Sequence, residues 1–169
     1  RKSAKDVTVR QVKNRAEIAE CLEIYHKTAT RAGFALHDDE YYYDIFDKMG
    51  DYSPIFAAFH GEKMVAFLWL AISSEIAFEL YGGVTEDGQA VRANYALKWQ
   101  VIETMKKWGI RRYDMNGLIN DGISTFKQSF ADHETMLVGT YDKPLSSLYR
   151  LWSKGLPWAK KIVRALKRR

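Results

Sequence analysis

The side chains that most often perform covalent or metal chemistry are few in this sequence and far apart. The four histidines, at positions 26, 37, 60 and 133, form no HExxH motif and no cluster with cysteine. No serine lies in a GxSxG turn, and no Walker A loop is present. The single cysteine, Cys21, shares helical spacing with Ile18, Leu22 and Tyr25, which favours an inert core thiol over a nucleophile. We therefore predict no metal site and no covalent enzyme intermediate.

The composition is that of one globular domain without disulfides. The chain has 169 residues, of which 47% are apolar and 28% charged, with only 3 prolines. These values exclude a disordered or low-complexity protein, and no apolar run approaches the roughly 18 residues of a membrane span. A single cysteine excludes an intrachain disulfide, so a reducing compartment is expected. Because the sequence opens on Arg1 and without a secretory signal, we interpret it as a fragment or a processed chain and expect that a partner domain of the same protein is missing.

The hydrophobic pattern predicts a mixed α/β domain built on one central sheet. The predicted strands are residues 7–12, 54–60, 63–72, 75–84, 111–115 and 135–141. The predicted helices are a segment capped by Asn14 and residues 38–49, 90–108 and 121–130. This order is similar to that of the GNAT-like acyl-CoA N-acyltransferase fold, a mostly antiparallel sheet flanked by helices. The order of elements alone does not fix an activity.

The turn after the fourth predicted strand bears on the acyl donor. GNAT enzymes bind the pyrophosphate of acetyl-CoA at this turn, through a loop that reads Q/R-x-x-G-x-G/A and the start of a helix. Here the stretch reads TEDGQAVRANYAL, with one glycine, Gly88, and two carboxylates, Glu86 and Asp87. Carboxylates repel a pyrophosphate. The loop therefore argues against CoA, and we predict no cofactor.

Four short motifs occur in order in the second half of the chain. They are YGG (81–83), NYALKW (94–99), YDMNG (113–117) and FKQSF (126–130). Together they resemble the second GNAT-like domain of the FemABX family, the methicillin-resistance-factor peptidyltransferases. The resemblance extends to an upstream phenylalanine, basic residue and tyrosine pair, namely Phe34, His37, Tyr41 and Tyr42. Members of that family carry two such domains and move an amino acid from aminoacyl-tRNA to an amine of the peptidoglycan stem peptide.

The resemblance implies a donor-side role for the last motif. Lys127 matches the lysine that in the family lies where the tRNA end is held, and its ammonium would balance phosphate charge or the developing oxyanion. Phe126 would pack against the terminal adenosine or shape the acyl channel. From residue type alone, a surface lysine and a core aromatic are the alternatives.

The resemblance also implies an acceptor site. Tyr81 and Tyr41 match tyrosines that line the site for the nucleotide-linked precursor, where a phenol offers both a stacking face and a hydrogen bond. His37 stands where the family has an arginine that grips the diphosphate, and a neutral histidine offers at most one donor. Arg31 is a candidate to compensate, and a lipid-linked precursor held elsewhere is the alternative. Half-buried structural aromatics are the plainer interpretation of both tyrosines.

Asp114 matches the aspartate of the family's YD motif at the end of a predicted strand. Strand ends are common ligand positions, and a carboxylate there would help deprotonate an attacking amine. A carboxylate that hydrogen-bonds a helix N-terminus is the alternative. Asn116 and Ala131 stand where the family has glycine, which leaves the donor specificity open.

The C-terminal segment carries the chain's excess of positive charge. Residues 143–169 contain nine basic residues and no acidic one, whereas the whole chain has a net charge of +5. Pro157 with Gly155 predicts two short helices, whose apolar positions are Leu148, Leu151 and Trp152 on the first and Trp158, Ile162 and Leu166 on the second. A basic amphipathic helix with tryptophan suits an anionic membrane or nucleic acid, although packing on its own domain is equally compatible. We therefore predict a GNAT-like domain over 1–142 and a basic helical tail over 143–169.

The resemblance as a whole predicts one domain of an aminoacyl-tRNA-dependent transferase that builds peptidoglycan bridges. Its expected partners are aminoacyl-tRNA and a nucleotide- or lipid-linked precursor. Its expected location is the bacterial cytoplasm, at the inner face of the plasma membrane. Two alternatives remain: a CoA-dependent small-molecule N-acyltransferase, and a non-catalytic module that binds tRNA or membrane through residues 143–169.

Overall fold

A single sheet organises the first three-quarters of the chain. The computed structural model describes residues 6–118, 122–131 and 133–166. Within these ranges the sheet has five strands in sequence order. They are β1 (Thr8–Val12), β2 (Ile55–His60), β3 (Lys63–Ile72), β4 (Ile76–Val84) and β5 (Arg112–Asp114). The first four pair antiparallel; short turns join β2 to β3 and β3 to β4, whereas a helical segment joins β1 to β2. β5 pairs parallel to β4, as a helical crossover between two strands allows.

Helices of the first unit of the chain cover both faces of the sheet. In chain order, the described helices are α1 (Arg15–Ala32), α2 (Asp39–Met49), α3 (Glu86–Ala90), α4 (Ala93–Lys107), α5 (Gly122–Gln128) and α6 (Tyr149–Leu166). Of these, α1 and α2 cover one face of the sheet, and α4 covers the other. As predicted, Asn14 caps α1, since its side chain accepts a hydrogen bond from the Glu17 N–H at 2.9 Å. None of the helices in the described ranges is long and apolar enough to span a membrane.

The core has two layers, one on each face of the sheet. On one face α4 contributes Leu97, Val101 and Met105 against inward residues of β2 and β3. On the other face α1 and α2 pack their apolar residues against Phe67 and Trp69 of β3. A sheet with both faces buried explains why β2 and β3 read as continuous apolar runs instead of alternating ones.

The predicted fold class is confirmed, because a mixed α/β sheet in this order with helices on both faces is the GNAT arrangement. Two compact units make up the chain, residues 1–127 and residues 128–169. The first contains the sheet, and the second contains α6. The boundary after residue 142, between the GNAT-like domain and the basic tail, stays a prediction.

Two predictions about the C-terminal segment are wrong. Residues 135–141 form no strand, and Met136, Leu137 and Val138 are almost fully exposed. Apolar alternation shows only that a segment suits a sheet, whereas a strand also needs a neighbour for its backbone groups. The predicted pair of short helices is one helix, α6, which continues through Pro157. A proline removes one hydrogen bond and bends a helix without having to end it.

Two predictions about the β4–α4 connection are also wrong. From its polar composition, the stretch from Thr85 to Gln89 is expected to be a loop, yet Glu86–Ala90 forms the short helix α3, because the Thr85 hydroxyl caps it by accepting from the Gly88 N–H at 3.0 Å. The expected continuous helix 90–108 begins only at Ala93, because Arg92 has a positive φ of 56° and breaks the helical path.

Candidate functional site

β5 accompanies only the first part of β4, and we call the space beside the remaining part of β4 the cleft. The two strands pair over only three positions, from Ile76↔Arg112 to Phe78↔Asp114. Beyond Phe78, β4 continues to Val84, and β5 has already ended. The second half of β4 therefore has an edge that β5 leaves unpaired. An extended ligand can hydrogen-bond to such an edge as an added strand does.

A bulge in β4 directs its side chains to both sides of this cleft. Trp69 and Leu70 are consecutive on β3 and face opposite sides of the sheet, yet they pair with Tyr81 and Glu79, which are two residues apart. Leu80 is therefore the extra residue of a β-bulge. As a result, Tyr81 faces α1 and α2, and Glu79 faces α4.

The predicted acceptor-side residues come together on the Tyr81 face. The Tyr81 ring packs edge-on against Tyr42 at 5.2 Å between ring centroids, and its hydroxyl hydrogen-bonds Tyr41. The His37 ring lies 4.2 Å from the Tyr41 ring at an angle of 31°. Burial, followed by the hydrogen bond to Tyr41, raises the pKa of Tyr81 above its usual value, so the phenol stays neutral.

This aromatic group has an exposed rim over a buried floor. Tyr42 and Trp69 are fully buried, whereas Tyr41 is 43% exposed and His37 is exposed. Exposed rings that are held by a buried layer suit stacking against a planar group or a sugar. Arg31 lies elsewhere, at the end of β4, where its guanidinium donates to the Val84 carbonyl at 3.2 Å.

A buried ion pair occupies the Glu79 face. Lys98 of α4 donates to both carboxylate oxygens of Glu79, at 2.7 and 2.8 Å, and the Tyr113 hydroxyl donates to the same carboxylate at 2.8 Å. The side chains of Lys98 and Glu79 are only 4% and 9% exposed. Burial lowers the pKa of Lys98, and Glu79 opposes that effect; burial and Glu79 both raise the pKa of Tyr113. This group ties α4, β4 and β5 together where β5 leaves the sheet.

The predicted donor-side residues lie above this ion pair. Phe126 packs edge-on against Tyr95 at 4.7 Å, and the ammonium of Lys98 lies 5.0 Å from the centre of the Phe126 ring. The half-buried Lys127 donates from Nζ to the Gly117 carbonyl at 2.9 Å. Phe126 thus packs against α4, which agrees with the alternative of a core aromatic. Lys127 is the next residue of α5, so this packing also positions the backbone from which Lys127 extends.

Asp114 and Lys127 both contact the turn that follows β5. Asp114 Oδ1 accepts from the Asn116 N–H at 2.8 Å, and the Asn116 amide donates to the Glu79 carbonyl at 3.1 Å. Asn116 has a φ of 64°, a conformation that favours glycine and tolerates asparagine. That conformation explains why asparagine stands where the family pattern has glycine. The hydrogen bond of Asp114 is to this turn and not to a helix N-terminus.

The turn from Thr85 to Arg92 lacks the features that hold a diphosphate. The N–H groups of Gly88 and Gln89 donate to Thr85, and those of Val91 and Arg92 donate to Asp87 and Gln89. A Cβ at position 88 would lie 2.4 Å from the Val65 carbonyl oxygen, so the glycine serves packing against β3.

The charge of this turn also disfavours a polyanion. Glu86 and Asp87 lie at the start of α3, and Lys63 binds Asp87 at 2.6 Å and lowers its pKa. That lysine is thereby already paired with a carboxylate. The described residues of the turn therefore do not fit the diphosphate of CoA in the usual GNAT way.

The motifs gave roles to seven candidate residues, but they gave none to Glu79, or to Lys98 within the NYALKW motif. A usable signal existed, because Lys98 lies at helical spacing with the buried Val101 and Met105. A lysine in an apolar stripe predicts a buried partner of opposite charge.

A model of the family described as acetyltransferase (GNAT) domain matches residues 1–128. The chain therefore belongs to the GNAT acetyltransferase domain family, and acyl transfer is the activity class of that family. No curated protein matches the chain at a significant level. The narrower resemblance to FemABX proteins stays a prediction.

Several solved structures share the fold. Aminoglycoside 6'-N-acetyltransferase AAC(6')-Ih from Acinetobacter baumannii is 15% identical, with a TM-score of 0.64 over 83% of this chain and 99% of that one. The ribosomal-protein-S18-alanine N-acetyltransferase from Escherichia coli is 15% identical, with a TM-score of 0.63 over 77% and 79%. An aminoglycoside acetyltransferase from an uncultured soil metagenomic sample, solved with sisomicin, is 12% identical, with a TM-score of 0.63 over 82% and 97%. At these identities the likeness establishes the fold.

Proposed function

We propose that this domain transfers an acyl group from an activated ester to an amine, at the cleft along the second half of β4. The observation that carries the proposal is the separation of β5 from β4 after Phe78↔Asp114, with the acceptor-side and donor-side residues on the two faces of the same strand. The acyl donor lies along the open edge, and the amine approaches from the Tyr81 face.

The reaction needs no covalent intermediate on the protein. The amine nitrogen attacks the ester carbonyl, a C–N bond forms, the C–O bond breaks, and the leaving hydroxyl takes a proton while the amine loses one. The Lys127 ammonium stabilises the oxyanion that develops on the carbonyl oxygen. Asp114, at the end of β5 beside the turn that binds Lys127, accepts the proton of the amine. Positioning and charge suffice because an aminoacyl ester is already activated.

We propose aminoacyl-tRNA as the donor and the stem-peptide amine of a peptidoglycan precursor as the acceptor. The turn from Thr85 to Arg92 supports this choice, because four of its N–H groups are bonded within the turn and its two carboxylates disfavour the CoA diphosphate. The exposed rings of Tyr41 and His37 support a nucleotide- or sugar-containing acceptor. The family resemblance adds a preceding domain of the same fold.

A second candidate, CoA-dependent N-acetylation of a small amine, is favoured by the comparisons. The three solved relatives are named as acetyltransferases, two of them for aminoglycosides and one for an alanine of a ribosomal protein. Such a donor would have to place its diphosphate at the N-terminus of α4, beside the exposed Arg92, instead of at the Thr85 turn.

The test is to mix the longest natural chain that contains these residues with each donor and read the mass of the product. One arm contains charged tRNAs and a lysine-containing precursor, and the other contains acetyl-CoA and an aminoglycoside. An aminoacyl mass increase on the precursor supports aminoacyl-tRNA as the donor. If only the aminoglycoside gains mass, by one acetyl group, the donor is acetyl-CoA. If neither acceptor gains mass, the domain does not perform acyl transfer.

A further inference from the structure

The C-terminal helix α6 has two chemically distinct faces. It runs from Tyr149 to Leu166 as one continuous helix. With a turn of about 100° per residue, the two sets of apolar positions that flank Pro157 fall on one side of this helix. Continuity through Pro157 therefore produces a single apolar stripe about 18 residues long in place of two short ones.

The apolar stripe is exposed. Leu151 is 74% exposed, Trp152 is 60% exposed and Trp158 is 69% exposed. Ile162 and Val163 continue the stripe toward the C-terminus and are 40% and 52% exposed. A contiguous exposed stripe with two tryptophans marks an interaction surface, because isolated soluble domains rarely expose such a patch.

The opposite side of α6 is cationic. Arg150, Lys154, Lys160 and Lys161 fall on the other half of the helix and are exposed. The sequence from 143 to 166 contains no acidic residue, so no carboxylate on this helix neutralises these charges. Long cationic side chains beside an apolar stripe reach outward from it and leave their charges in water.

The apolar stripe and the cationic side of α6, taken together, distinguish between a nucleic acid and an anionic bilayer as its partner. A nucleic acid would engage the cationic side and stack bases on the tryptophans, but it would leave Leu151, Ile162 and Val163 in water. An anionic bilayer engages both sides, because the apolar stripe enters the acyl boundary while lysine and arginine remain at the headgroups. Tryptophan is enriched at that boundary, where its ring is apolar and its N–H is polar.

We propose that α6 docks the protein on the surface of an anionic lipid bilayer, lying in the interface and not crossing it. The apolar stripe around Trp152 and Trp158 inserts, and the lysines bind acidic headgroups. This inference does not depend on the proposed acyl donor, because vesicle binding is measured without any acyl transfer.

The experiment measures the binding of the chain to vesicles of equimolar phosphatidylglycerol and phosphatidylcholine by co-sedimentation, with pure phosphatidylcholine as the comparison. We expect binding to the anionic vesicles only, weakened by added salt. Trp152→Ala/Trp158→Ala and Lys154→Glu/Lys161→Glu should each weaken binding by more than about tenfold.

Matched control variants distinguish a loss of membrane docking from the general effect of removing a tryptophan or reversing two charges. Trp99→Ala removes an exposed tryptophan of α4, and Lys106→Glu/Lys107→Glu makes the same change of charge at the end of α4; both should bind as the unmodified chain does. Unchanged far-UV circular dichroism verifies folding of every variant. Lack of binding to anionic vesicles overturns the proposal, as does equal weakening by the control variants. Binding of uncharged tRNA through Lys154 and Lys161, without vesicle binding, also overturns it.

Discussion

Lys98 of α4 and Glu79 of β4 form a buried ion pair in which one ammonium binds both oxygens of one carboxylate, at 2.7 and 2.8 Å. Tyr113 of β5 adds a third hydrogen bond to the same carboxylate. The pair thereby connects the three elements at the root of the cleft, below Phe126 and Lys127. The cleft depends on this connection, because the β4–β5 ladder itself is only three residues long.

Removing one partner of this pair should destabilise the domain strongly. Lys98→Met leaves the Glu79 carboxylate buried without its counter-ion, which costs about 3–5 kcal/mol of unfolding free energy. The double variant Lys98→Met/Glu79→Gln should recover much of that loss. Urea unfolding measures both. Lys48→Ala, which removes an exposed ion pair with Asp44, is the control and should change little. Equal losses for the single and double variants would contradict the role of charge compensation.

The buried thiol of Cys21 should make the domain less stable at alkaline pH. Burial raises the pKa of Cys21 from its ordinary value of 9.0 to about 12. Between these values the unfolded chain releases the thiol proton and the folded chain keeps it, so stability falls as pH rises, by about 1.4 kcal/mol per pH unit. The unfolding free energy, measured from pH 8 upward, should fall less steeply with pH for Cys21→Ala than for the unmodified chain. Parallel declines would show that the thiol does not contribute.

The hydroxyl of Tyr81 should contribute to binding of the acceptor and not to the chemical step. Tyr81→Phe keeps the ring packing against Tyr42 and Trp69 but removes the hydroxyl that bonds Tyr41. We expect the KM for the precursor to rise about two- to tenfold with kcat unchanged. Steady-state kinetics of the transfer reaction provide the readout, with Tyr52→Phe as a matched control at an exposed tyrosine. A fall in kcat at constant KM would place Tyr81 in the chemistry instead.

The turn after β4 should bind acetyl-CoA poorly. Four of its N–H groups are bonded within the turn, and Glu86 and Asp87 repel phosphate, so the melting temperature should not rise with acetyl-CoA. A 3'-aminoacyl adenosine analogue should raise it. If acetyl-CoA gives a saturable rise and Arg92→Ala abolishes that rise, CoA binds at the start of α4 and the second candidate donor is correct.

Apolar periodicity predicted the first five strands of the sheet, because the apolar pattern of a strand is a local feature. The family resemblance, not the periodicity, implied a common site for Tyr41, His37 and Tyr81. Neither predicted the ion pair of Glu79 and Lys98. Counting with a period of two places Glu79 on the same face as Tyr81, and only the bulge at Leu80 separates them. A bulge depends on the pairing of two strands, which no single segment contains.

The C-terminal predictions failed for a related reason. The alternation of residues 135–141 is compatible with a strand, but a strand forms only where a segment pairs with a neighbouring edge, and these residues pair with no strand of the described sheet. Pro157 and Gly155 indicate a helix break by local propensity, which the rest of α6 overrides. Local sequence patterns show which secondary structures a segment is able to form, and its contacts with other segments determine which one it adopts.

The central claim is that acyl transfer to an amine occurs beside Lys127, and its most direct test is the mass of the acceptor after reaction with the unmodified protein and with Lys127→Ala. We predict that the unmodified protein adds an acyl mass to the precursor and that Lys127→Ala lowers the rate at least about a hundredfold, with its thermal unfolding unchanged. Lys127→Arg, which retains the charge, should restore part of the rate. Equal product formation by the unmodified protein and a folded Lys127→Ala variant would contradict the account.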